Sequence, residues 1–194
     1  MKNSWLVIVL LLSGCSVIPS PGEPPKRFVL DALVPMTENK HTPHKLMVEL
    51  PNVYPPIDSQ RIGVMLAPNQ IDYYADCEWG DRLGVLIQDS LVYSLQNRKV
   101  FAGVTRTNDS ILPDLLLKTD VRKFFIVQKP KPHAVVQYYV QLIRLGDHHV
   151  LSQQTFETIL PLAHESLEEV STKLSEASTQ TTLKILEWLK VNNS

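Results

Sequence analysis

Two thiols, six histidines and a run of carboxylates are the groups in this 194-residue chain that could do chemistry. Cys15 follows Leu12-Ser13-Gly14 at the end of an apolar run, and Cys77 stands between Asp76 and Glu78. A thiolate can be alkylated, oxidised or bound to a metal. His41 and His44 are three apart, but Pro43 between them excludes a helix that would align their rings. His148 and His149 close the turn sequence Gly146-Asp147-His148-His149. Neither pair has a third ligand nearby, so no metal site is expected. Asp72, Asp76, Glu78 and Asp81 could supply an acid and a base, as paired carboxylates do in glycoside hydrolysis. Capping the start of a following helix is the simpler account. The chain has no Gly-x-Ser-x-Gly elbow, no His-Glu-x-x-His, no Walker loop and no glycine-rich dinucleotide turn. No catalytic residue, no metal and no cofactor is expected: the sequence does not read as an enzyme.

Cys15 is different, because its surroundings assign it a reaction. Lys2 precedes an apolar run from Trp5 to Leu12, and small residues follow, the shape of a secretory signal peptide over residues 1–14. Eight helical residues span only about 12 Å, too short to cross a bilayer. Leu12-Ser13-Gly14-Cys15 resembles the bacterial lipobox. That resemblance implies cleavage between Gly14 and Cys15, a thioether from Cys15 to diacylglycerol, and acylation of the new amine by a chain such as palmitate. Two or three acyl chains hold a membrane stably where one is marginal. Residues 15–25 then carry Pro19, Pro21, Pro24 and Pro25, a semi-rigid tether that cannot pack a core. Ser16 stands where an Asp would, by resemblance to enterobacterial sorting, keep a lipoprotein in the inner membrane. The expected location is the periplasmic face of the outer membrane.

Removing residues 1–14 leaves 18 basic residues against 20 acidic ones, since Lys2 is the only charge lost. That balance makes no case for nucleic acid or for electrostatic attraction to anionic lipid. With Cys15 acylated, Cys77 has no intramolecular partner and is expected to be buried. Residues 26–192 are enough for one domain with its own core.

The elements that must position these groups follow from period and punctuation. Residues 26–33 and 61–68 read as strands, the second closed by Pro68. Val34–Gln60 holds five prolines and reads as a loop with a short extended piece near 46–50; residues 71–78 read as an acidic, aromatic loop. Trp79, Leu83, Leu86, Ile87, Leu91 and Leu95 recur at helical spacing, so a first helix is placed over 79–95. Strands follow at 99–104, 115–127, 134–145 and 150–160, the last two joined by the turn at 146–149. A second helix over 166–190 carries the stripe Leu167, Val170, Leu174, Ala177, Thr181, Ile185 and Trp188. Long strands joined by short turns pair antiparallel, and two one-sided helices need a sheet face. The expected fold is α/β (α+β): a two-layer sandwich, a mainly antiparallel sheet with two long helices on one face.

Tyr73, Tyr74 and Trp79 lie beside carboxylates at a strand-to-helix junction, a composition that suits a partner surface. Burial under the first helix is the competing account for Trp79. The same residues carry a resemblance. Arg61-Ile62-Gly63-Val64 ending in Ala67-Pro68, then Tyr73-Tyr74, then Trp79 at a helix start, resemble the bacterial ABC-type transport auxiliary lipoprotein family. So do Pro113-Asp114-Leu115 opening a long strand, Val150-Leu151 leading to Phe156, and a closing helix with Ala177 and Trp188. The resemblance implies a periplasmic docking or assembly part, without catalysis. Its implied partners are an MCE-domain protein and an ABC transporter permease and ATPase that move lipid between membranes, with a homo-oligomer conceivable. Family members often carry a tyrosine-containing hairpin before the double tyrosine; here Pro68 runs to Ile71 directly, and Val34–Gln60 is a candidate replacement.

An outer-membrane assembly lipoprotein, of the lipopolysaccharide-export plug or secretin pilot type, is the alternative. A lipid carrier with a cavity between sheet and helices is a third reading, opposed by two continuous apolar stripes. The anchor itself is testable: Cys15→Ser is expected to abolish labelling by radioactive palmitate and to move the protein from the membrane pellet to the soluble fraction.

Overall fold

The computed structural model describes residues 23–30, 42–107, 109 and 112–192. Gly14, Cys15, His41 and the expected signal peptide lie outside the described residues, as do most of the tether and residues 31–41 of the expected loop. The strands are β1 (Lys26–Phe28), β2 (Thr42–Val48), β3 (Asn52–Val53), β4 (Arg61–Ala67), β5 (Gln70–Trp79), β6 (Phe101–Arg106), β7 (Leu115–Val127), β8 (His133–Arg144) and β9 (His149–Pro161). The helices are α1 (Leu83–Arg98) and α2 (Leu167–Asn192), with a 3-10 turn at Pro55–Ile57.

All nine strands join one sheet, and β7 is its centre. From one edge of β7 run β8 and then β9, both antiparallel and paired along almost their whole length. The other edge takes three short strands in succession, all parallel: β2 at Leu115–Leu117, β3 at Asp120–Val121 and β4 at Phe125–Val127. Beyond them β6 lies parallel to β2, β5 antiparallel to β4, and β1 parallel to β5. The long ladders are antiparallel, as the strand lengths demand; the short parallel strands make the sheet mixed and curl it into a half-barrel.

Both helices cover the same face. The register aligns Val53, Val121, Tyr138 and Phe156 in one row across four strands. Over that row lies α1, where a Cβ on Gly84 would stand 3.2 Å from Val53 Cγ2. Glycine here lets helix and strand touch. The other end of the row meets α2: Tyr138 Oη lies 2.9 Å from Ser178 Oγ, and Phe156 meets Trp188 edge to face at 5.8 Å. Two further polar contacts hold the layers together. Gln88 Nε2 donates to the Val48 carbonyl at 3.0 Å, and the Thr181 hydroxyl sits 2.9 Å from Thr158 Oγ1 and 2.8 Å from the Ala177 carbonyl. Each satisfies a buried group that would otherwise cost about 1–3 kcal/mol. Ser166 starts α2 by accepting the Glu169 N–H at 3.2 Å, and Glu169 reaches back to the Ala163 and His164 N–H groups, a variant of the capping box. At the free edge of the sheet, Lys184 of α2 donates to the Glu157 carbonyl of β9 at 2.6 Å.

Three expectations need correction. Residues 71–78 are not a loop: Gln70–Trp79 is β5, joined to β4 by a tight turn at Pro68-Asn69. Asn69 has φ 65°, so Pro-Asn makes a two-residue hairpin turn and does not simply end a strand. Much of the described part of Val34–Gln60 is sheet, because β2 sits between β6 and β7 with Leu46 and Val48 fully buried. Pro43 is tolerated there because the β2–β6 register shifts between Thr42 and Lys45. The first helix begins at Leu83, not Trp79, which closes β5.

Trp79 is 1% exposed and meets Phe124 edge to face at 5.9 Å. Its backbone N–H donates to the Gln60 carbonyl at 2.6 Å. It therefore ties β5 to β7 in the core and offers no surface to a partner. Trp79→Ala is expected to cost roughly 3–5 kcal/mol, read as a lowered midpoint in urea with the slope unchanged.

Candidate functional site

The residues singled out for partner binding all fall on β5, and alternation along that strand separates them. Tyr74 points towards the core and packs against it, while Tyr73 takes the face opposite the helices. On that face Arg61 lays its guanidinium over the Tyr73 ring, 3.8 Å from the centroid. The Tyr73 hydroxyl donates to the Pro56 carbonyl at 2.6 Å. Tyr73 is thus held from both sides, by a cation on its ring and by the 3-10 turn at its tip. The Tyr54–Pro56 end of the proline-rich segment supports Tyr73 directly.

Below the turn, Ile57, Phe125 and Ile71 close a small second core around Gly63. A Cβ there would stand 3.3 Å from Phe125 Cβ. The glycine keeps β4 flat against β7 and lets the turn settle on the outer face.

Tyr74 is the chemically unusual member. Its hydroxyl is buried with no hydrogen-bond partner among the described residues. Burial first, then the charges of Glu165 and Cys77, push its pKa up to about 12. Cys77 is buried as expected; burial, with Asp76 and Glu168 nearby, raises its pKa, so the thiol stays protonated and unreactive. The bend that turns Cys77 inward is at Asp76, whose φ is 57°, where β5 carries extra residues against β4.

The four carboxylates do not converge. Glu78 pairs with Arg27 at 2.8 Å, Asp72 accepts the N–H of Tyr73, and Asp81 accepts that of Arg82 at 2.6 Å. Asp81 lies just before α1 but accepts no N–H of the helix's first turn, and Asp72, Asp76 and Glu78 lie in β5, so the capping account holds for none of the four. His44 lies in β2, His148 in the β8–β9 turn and His149 at the start of β9. Among the described residues no group of three side chains is arranged to hold a metal.

A second tyrosine–arginine pair, not anticipated from the sequence, lies on the same outer face. Arg122 stands over the Tyr139 ring at 4.4 Å. It is there because the β7–β8 register shifts between Val121 and Lys123, so Arg122 is the extra residue of a bulge. The adjacent polar pair Arg122-Lys123, which interrupts the alternation of β7, is the sequence signal for that bulge.

The model of the ABC-type transport auxiliary lipoprotein component matches residues 28–186. The chain belongs to that family. The resemblance drawn from residues 61–68, 73–79, 113–115, 150–156 and the closing helix is met, and this auxiliary lipoprotein is a component associated with an ABC-type transport system. A crystal structure of a Xanthomonas campestris protein shares its fold with a TM-score of 0.72 at 22% identity, over 83% of this chain and 96% of that one. A second, uncharacterized protein gives 0.69 at 16% identity, over 86% and 99%. A hypothetical protein from Chlamydia trachomatis gives 0.56 at 7%, over 78% and 98%. No curated protein matches the chain.

Tyr74 supplies a pH test of the auxiliary lipoprotein's core. An unfolded tyrosine ionises near 10, so the unfolded chain loses this proton first as the pH rises. Stability falls between about pH 10 and 12 for that reason. Tyr74→Phe is expected to remove that part of the decline while leaving stability at neutral pH unchanged or slightly higher. Denaturant melts across that range check both.

Proposed function

We propose that the auxiliary lipoprotein is a non-enzymatic, lipid-anchored adaptor of an MCE/ABC-type system that moves lipid between the two membranes. It docks or assembles the complex and takes no part in ATP hydrolysis. The observation that carries the reading is the family match across residues 28–186. The geometry supports it in two ways. The space between sheet and helices is filled by Trp79, Phe124, Tyr138 and the aliphatic rows around them, so the helices pack flush, as in a scaffold. Three of the carboxylates that could have formed an acid–base pair, Asp72, Glu78 and Asp81, are engaged separately with different partners.

The anchor fits this role. Cys15, freed by cleavage after Gly14, carries the lipid, and the segment up to Lys26 in a polyproline conformation would reach about 34 Å. A domain on such a lead stands in the periplasm while remaining attached to the outer membrane. The partners are then an MCE-domain protein and, through it, the permease and ATPase.

Purification of the full lipidated chain from its own host in mild detergent is expected to recover an MCE-domain protein in comparable amount. Recovery of an outer-membrane β-barrel or a secretin in its place would overturn the adaptor reading in favour of an assembly lipoprotein.

A further inference from the structure

The face of the sheet opposite the helices has an electrostatic character that the core does not explain. Arg61 and Arg122 lie on β4 and β7, parallel neighbours about 4.8 Å apart. The pairing of Gly63 with Phe125 brings them to nearly the same height. Each guanidinium is set on a tyrosine ring, and neither has a carboxylate partner among the described residues. Between the two pairs runs the Tyr54-Pro55-Pro56 turn. Pro56 accepts the Tyr73 hydroxyl, and Tyr54, 55% exposed, lines a cleft of about 240 Å³ with Arg122. The nearby charges are Lys118, Lys123 and Arg27 against Asp120, Glu157 and Glu78, the last opposite Arg61 across the β4–β5 pair; Glu157 is already paired with Lys123 and Glu78 with Arg27. The patch is therefore net positive on a chain whose net charge is −1.

An arginine stacked on an aromatic ring keeps its N–H edges free, and these match the two oxygens of a carboxylate. Tyrosine and arginine are also the residues that most often anchor protein interfaces. We propose that this face, from Arg61–Tyr73 through Tyr54 to Arg122–Tyr139, is the docking surface for an acidic segment of a partner protein. Its carboxylates pair with the two stacked guanidiniums while an apolar side chain enters beside Tyr54. An anionic membrane is the less suitable occupant: the cations are two fixed forks, not a field of lysines, and the chain as a whole is not basic. The inference deepens the adaptor reading and rests on it for the kind of partner, though not for the chemistry of the surface.

The experiment uses the full lipidated chain in its host, with a photoreactive amino acid at Tyr54 and the crosslinked peptide mapped by mass spectrometry. The expected product is a protein peptide bearing at least two carboxylates. Its yield falls at least about tenfold in Arg61→Gln/Arg122→Gln, since the loss of one charge-assisted hydrogen bond already accounts for that much. Arg61→Lys/Arg122→Lys gives an intermediate yield, and Lys190→Gln on α2 none of the loss. A lipid adduct, no adduct, a peptide without carboxylates or a yield indifferent to the arginine pair overturns the proposal. An arginine-dependent acidic peptide from a protein outside the transport system would uphold the surface and sink the adaptor reading. An MCE-domain protein that co-purifies but never crosslinks here would do the reverse.

Discussion

A single strand, β7, fixes where everything else can go. Its thirteen residues bond to β8 along one edge, and along the other to β2, β3 and β4 in turn. Three successive short strands, all within residues 42–67, are laid end to end because one long strand offers each a few hydrogen-bonding sites. The bulge at Arg122 adds local twist to that spine, where the edge passes from β3 to β4. Both the hydrophobic row under the helices and the arginine–tyrosine pairs opposite are consequences of how β7 is divided.

The two faces answer different demands. Beneath the helices, apolar residues align by register, and the few polar groups there are matched: Tyr138 with Ser178, Thr181 with Thr158, Gln88 with Val48. That pattern favours one rigid packing. On the outer face, rings and guanidiniums stack in the open, where single contacts contribute little to stability. A family defined as auxiliary to transport is well served by such a division, a fixed body that keeps the same shape while its outer surface is left available.

What could be read from the sequence was whatever obeyed a period. Strand β7 and the stripe of α2 were legible because the alternation that opens the strand at Leu115–Arg122, or seven mostly apolar residues at helical spacing, leaves few alternatives. The short parallel strands were not, since β2 and β3 borrow their order from β7 and have too few residues to show alternation of their own. Proline misled at Pro43, which lies at a register shift where it interrupts nothing; Pro68 does close β4, and what it hid was the immediate return of the chain as β5. The burial of Trp79 was not legible, because a tryptophan at a junction looks the same whether it faces water or Phe124. Arg61 and Arg122 were missed as a pair because their proximity depends on β4 lying beside β7, a long-range pairing that no local pattern encodes.

The grip of Lys184 on the Glu157 carbonyl bears on how this protein survives crowding at a membrane. Strand β9 is the unpaired margin of a large sheet, and a margin of that length invites other chains to add to it and grow into aggregates. An ammonium seated on the backbone at Glu157, with Pro161 at the end lacking an N–H, blocks the C-terminal part of that margin to an intruding strand. The same lysine fastens the last helix to the margin it guards. Loosening α2 would therefore expose the sheet to its neighbours at the moment the core opened, so that solubility and folding are lost or kept together.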